Sequence, residues 1–121
     1  MVSLKPCWRD PGSGEWRASG GFPLQMRAIG GLFAEVRLVV IEVPPEAGGL
    51  PLPEDATVIP LRAPTGSDTR RKLSVARRLP EYLPTIATHV RWADVVHTPL
   101  PGDMPLLGFV TALALGRPVV A

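Results

Sequence analysis

The last third of the chain restricts its fold more than any other stretch. Asp94-Val95-Val96-His97 reads as a buried strand, Thr98-Pro99-Leu100-Pro101-Gly102-Asp103 as a turn, and Met104 to Leu115 as an apolar helix. Gly116-Arg117-Pro118-Val119-Val120-Ala121 then enters a second strand. Strands joined through a helix run parallel, because a crossover of that length returns the chain to the start of the next strand. The order predicts a βαβ unit and an α/β fold with helices covering a parallel sheet. Ligands in such folds gather at the carboxyl ends of the strands, so His97 is expected at a ligand-facing edge. The finish at Ala121, inside a strand, sets the expectation of an incomplete domain.

A chain of 121 residues is enough for one domain with a modest core, taken here as residues 1–121. Its 45% hydrophobic and 20% charged residues belong to a globular protein and not to a disordered one. With 15 Pro and 12 Gly, ordered connections between packed elements are expected. A net charge of +2 is too slight to imply nucleic acid, which needs a concentrated basic surface. The distribution says more: Arg70, Arg71, Lys72, Arg77 and Arg78 are five of the thirteen basic residues. The single Cys7 excludes an internal disulfide and a cysteine metal cage, which fits a reducing cytoplasm. No apolar leader is evident, and the run from Leu106 to Leu115 falls short of the roughly 20 residues of a spanning helix.

Along the chain, Val2 to Leu4 reads as a short first strand before Lys5-Pro6. Cys7 to Gly21, rich in Gly, Pro, Ser and Arg, reads as a long binding loop. Phe22, Met26, Ile29 and Phe33 recur at helical spacing, with Pro23 in a permitted first turn and Gly30-Gly31 as the stop. From Glu35 to Val43 the nearly continuous β-branched run predicts a strand covered on both faces. Glu46 to Ala56 reads as a loop, and Thr57 to Leu61 as a strand ending near Pro60. Leu73, Ala76, Leu79, Tyr82, Leu83, Ile86, Val90 and Ala93 then mark one side of a long helical pattern. Pro80 and Pro84 predict either two shorter helices or one kinked helix there. Asp103 is placed to cap the next helix, Pro105 to sit in its first turn, and Gly116 to take the left-handed position past its end. That helix is apolar on nearly all sides, which predicts that it is sandwiched within the fold.

Ser19-Gly20-Gly21 before a helix offers free backbone N–H groups and a positive dipole end, the local physics of a phosphate site or of a plain turn. The spacing matches neither the dinucleotide fingerprint nor a P-loop. His97 can hydrogen-bond a sugar hydroxyl or serve as a satisfied packing residue. His89 is read as a surface or packing residue. No His, Asp or Glu spacing makes a metal site, and no Ser or Cys sits in a nucleophile elbow. The Arg70 to Arg78 cluster is either a solvated helix face or a weak contact for a membrane surface.

Trp16-Arg17-Ala18-Ser19-Gly20-Gly21-Phe22-Pro23, the Val36 to Val43 strand, and Ala93-Asp94-Val95-Val96-His97 followed by Pro101-Gly102-Asp103 occur in a familiar order. In that order the chain resembles the N-terminal domain of GT-B glycosyltransferases of the family-4 type. The resemblance implies a Rossmann-like parallel sheet with flanking helices, the acceptor-side part of a GT-B architecture whose donor-binding C-terminal domain is absent. It further implies transfer of a sugar from a nucleotide-sugar donor to an acceptor in the full-length protein, without cofactor or metal. Ser19, Gly20 and Gly21 would lie near the donor phosphates, His97 would be the candidate catalytic residue, and Thr98, Pro101, Gly102 and Asp103 would line the cleft. Many relatives carry a second histidine two residues after the first, where this chain has Pro99. The expected location is the cytoplasm, either free or peripheral at the membrane, with no nucleic-acid partner. The rival expectation is a self-contained α/β module that binds a small phosphorylated ligand without catalysis.

Overall fold

The computed structural model describes residues 1–99 and 102–120, and for Leu4 the backbone alone. The chain is a mixed α/β protein with three helices among the described residues, and it divides into two compact units. One comprises Lys5–Arg62; the other comprises Met1–Leu4 with Ala63–Ala121.

The Lys5–Arg62 unit is built on a five-stranded sheet in the order β4-β2-β1-β3-β5. Strand β1 (Val2–Arg9) runs well past the expected Leu4, and Cys7 to Gly21 is not a long loop. It holds the end of β1, a tight turn, and β2 (Trp16–Ala18), which pairs antiparallel with β1 through Trp8 and Arg17. The turn closes because Asp10 gathers it: its carboxylate accepts from the Ser13 hydroxyl at 2.7 Å, and its backbone N–H donates to the Glu15 carbonyl at 2.7 Å. Asp-Pro-Gly-Ser chemistry of this kind makes turns, and so short a connection forces antiparallel pairing. Within the expected 46–56 loop a short strand β4 (Leu50–Pro51) pairs with β2. Gly49, at φ +74°, lets that loop approach the buried Trp8 ring; a Cβ there would meet Trp8 Cζ2 at 2.7 Å. Arg17 holds the same loop by donating to the Gly48 and Gly49 carbonyls.

Strand β3 (Val36–Glu42) matches its expectation, with Leu38, Val39, Val40 and Ile41 all buried. It pairs in parallel with β5 (Ala56–Arg62), which continues through Pro60 where a stop was expected. Because β5 is the sheet's edge, a residue without an N–H costs it no ladder bond on its open side. Helix α1 (Phe22–Gly30) buries Phe22, Pro23 and Met26 and ends at the glycine pair, leaving Phe33 outside the helix and half exposed.

The second unit contains α2 (Asp68–Trp92), β6 (Val96–His97), α3 (Asp103–Ala114) and β7 (Val119–Val120). Strands β6 and β7 pair in parallel, so the βαβ order read in the sequence is present, though β6 is shorter than Asp94 to His97. They form a separate two-stranded sheet, and the single parallel sheet expected of the chain is not what forms. Helix α2 is one element of 25 residues despite Pro80 and Pro84. Both prolines lie on the exposed side, where water can serve carbonyls left without an amide donor. Its inner face is Val75, Tyr82, Ile86 and Val90; Leu73, Ala76 and Leu83, expected to be inner, are exposed.

Helix α3 packs on α2 and buries Met104, Pro105, Gly108 and Ala112. It is not sandwiched, since Leu106, Val110 and Leu113 are each more than half exposed. Gly108 explains the close approach on the buried side: a Cβ there would stand 2.7 Å from Val2 Cβ and 2.9 Å from Thr98 Cγ2. Gly116 takes the expected left-handed conformation after the helix, at φ +66°.

Candidate functional site

Two groups of residues carry polar chemistry, one in each unit. In the Lys5–Arg62 unit, Ser19, Gly20 and Gly21 join β2 to α1 and all three are exposed. Gly20 adopts φ +69°, a conformation that favours glycine, and Gly21 occupies the position before the first helical residue. No side chain caps that helix start, and its first turn holds no acidic residue. The helix start therefore keeps its positive dipole end without a side-chain cap, with Gln25 N–H bonded to the Gly21 carbonyl and Pro23 removing one donor from the set. A position 3.8 Å from where a Gly20 Cβ would sit is occupied by the Lys5 ammonium. Sequence reading missed Lys5, whose contact with the glycine pair spans a strand pairing that no local pattern reveals. A cation beside free backbone donors at a helix start is a set suited to an oxyanion such as a phosphate.

In the second unit His97 ends β6, as expected, and is partly exposed. Burial holds its imidazole below the usual histidine range, and the nearby Met1 ammonium lowers it further. The ring is thus neutral near pH 7, with one nitrogen able to donate and the other to accept. Thr98 follows with no exposed surface; its N–H donates to the Val120 carbonyl at 2.8 Å, and its hydroxyl finds no hydrogen-bond partner among the described residues. Of the other residues expected to line a cleft, Pro101 lies outside the described residues. Gly102 precedes α3 at φ +153°, ψ 154°, a backbone region essentially reserved for glycine.

Asp103 is the first residue of α3 and not its cap. Its carboxylate accepts from the Met104 N–H and, in fork geometry, from Arg71 Nε at 2.8 Å and Nη2 at 3.1 Å. Burial pushes the Asp103 carboxyl up, but the Arg71 hydrogen bonds, the Met104 N–H and the Arg71 charge together hold it below the ordinary range. Arg71 is therefore tied to α3, and Arg78 pairs with Glu81 at 3.4 Å. Arg70, Lys72 and Arg77 remain exposed on α2.

Cys7 is buried, and burial pushes its thiol up to about 12 against a smaller opposing effect of Lys5, so it stays protonated and unreactive. Among the described residues no three of His, Cys, Asp and Glu come together as metal ligands, and no helix is long and apolar enough to cross a membrane. Comparison of the chain with protein-family models, with curated proteins and with solved structures finds no match in any of the three.

Proposed function

We propose that the chain is the acceptor-side, Rossmann-like part of a GT-B glycosyltransferase that moves a sugar from a nucleotide-sugar donor to an acceptor hydroxyl. The observation that carries the proposal is the Lys5 ammonium beside Gly20 at the uncapped start of α1. In such a transfer the acceptor oxygen bonds to the anomeric carbon, its proton passes to water, and the sugar's bond to the diphosphate breaks. The electron pair leaves with the diphosphate, so a nearby lysine and free N–H groups stabilise the charge where it grows. No nucleophile from this segment is required.

A second reading, a module that binds a phosphorylated ligand without catalysis, is favoured by one fact. Lys5, Gly20 and Gly21 lie within a single compact unit and need nothing from the other.

Titration with inorganic diphosphate and with nucleoside diphosphates, followed through backbone amide shifts, tests both. The amides of Ser19 to Phe22 and of Leu24 are expected to move, and Lys5→Ala to weaken binding by about 10-fold, in line with the loss of one charge-assisted bond. Gly21→Val is the informative variant, because no atom lies within 4 Å of a Cβ at that position and its φ of −84° suits any residue. The fold should tolerate the change while the side chain blocks the approach of an anion. Unmoved amides with every diphosphate would sink both readings. Diphosphate binding without sugar transfer, in the protein carrying any donor domain, would leave the second alone.

A further inference from the structure

We infer that the outer face of α2 docks the protein on an anionic lipid bilayer. The inference is independent of sugar transfer and rests on how the structure sorts the six cations of this helix. Arg71 is committed to Asp103 and Arg78 to Glu81. Arg70, Lys72 and Arg77 stay exposed and form no ion pair among the described residues. At about 100° per residue, Arg70, Leu73 and Arg77 form one row along the helix and Lys72, Ala76 and Leu83 a second row beside it.

Leu73, 52% exposed, stands among the free cations, and Leu83, 39% exposed, extends the apolar surface along the helix beyond Arg77. The helix has two acidic residues, of which Asp68 begins it and Glu81 is held by Arg78, so neither stands between the two rows. Basic residues flanking leucines on a helix lying flat match the boundary between lipid head groups and acyl chains, where cations meet phosphates and leucines leave water. A nucleic-acid backbone would meet the same cations but leave Leu73 in water. The arrangement therefore favours lipid.

Partition of the protein into vesicles of phosphatidylcholine alone and of phosphatidylcholine with phosphatidylglycerol tests the assignment. Binding is expected to the mixed vesicles only, and to weaken as salt rises. Since one cation near an anionic surface changes partition roughly fivefold, Arg70→Glu, Lys72→Glu and Arg77→Glu together should lower it by about 100-fold or more. Leu73→Ser should lower it a further few-fold, by the loss of apolar burial. These side chains are exposed, so an unchanged urea-unfolding midpoint is the control on folding. Equal partition into both vesicle types, no partition at low salt, or a triple variant that binds like the parent would overturn the proposal. So would tight binding of an oligonucleotide that is indifferent to Leu73→Ser.

Discussion

Thr98 buries a hydroxyl that makes no hydrogen bond among the described residues, and so bears a desolvation cost with nothing there to offset it. An unpaired buried polar group costs about 1–3 kcal/mol, whereas an apolar group of the same shape costs nothing of the kind. Thr98→Val is therefore expected to raise stability by about 1 kcal/mol, read as a higher urea midpoint at unchanged slope. A lower midpoint would show that the hydroxyl is satisfied after all. Single residues were unevenly legible in the sequence. The terminus of the βαβ strand pointed to His97, and the glycine pair followed by Phe22-Pro23 pointed to a helix start. Lys5 carried no local mark, because its neighbour Gly20 is brought to it only by strand pairing. Thr98 looked like any turn residue; its burial depends on the closeness that Gly108 permits to Val2 and Thr98.

Among elements, α2 and α3 combine buried apolar faces with one ion pair that joins them. The Arg71–Asp103 pair links them, with side chains 31% and 24% exposed. Partial exposure keeps such a pair modest, and a double-mutant cycle with Arg71→Ala and Asp103→Ala should give a coupling of about 1 kcal/mol at neutral pH. The Asp103 carboxyl sits below its unfolded value, so its share is fully present above the unfolded pKa and is lost as pH falls through the folded one. The cycle repeated at decreasing acid pH should thus fade. Periodicity located α2 and the prolines raised the choice of one helix or two, but it misassigned the inner face by including Leu73 and Leu83. The actual inner row of Val75, Tyr82, Ile86 and Val90 is equally helical in spacing and shares its last three members with the expected one, and Arg71 pairs with Asp103 beside it. In α3 both faces are apolar, so hydrophobic pattern alone had no means of telling the buried side from the exposed one.

Across the whole molecule the ionisable groups make acid unfavourable. Burial lowers the Met1 amino group to about 6, and burial with the neighbouring Met1 charge lowers His97. Both groups bind protons more readily when unfolded, so stability falls as pH drops below the unfolded values. For the 121-residue chain, the Met1 contribution should cost about 2 kcal/mol as pH falls from 8 towards 6, with His97 adding its share below about pH 6.5. Denaturant unfolding across this range checks it, and acetylation of the amino group should flatten the upper part of the profile. A stability that stays level between pH 8 and 5.5 would contradict both assignments.

By itself the sequence determined the periodic parts: the β-branched run of β3, the glycine-terminated helix α1, the long α2, and the strand–helix–strand order that ends in β7. Each of these follows from spacing and turn chemistry within a few residues, so a local pattern suffices. Tertiary structure alone decided that Cys7 to Gly21 folds back as a hairpin, that β6 and β7 stand as a separate sheet, and that Lys5 meets the glycine pair. It also decided which cations of α2 are neutralised and which remain on its surface. Those outcomes depend on backbone hydrogen bonds and charges that pair residues outside any one helical or strand period, from Trp8 with Arg17 to Arg71 with Asp103, and such pairing leaves no periodic trace in the chain.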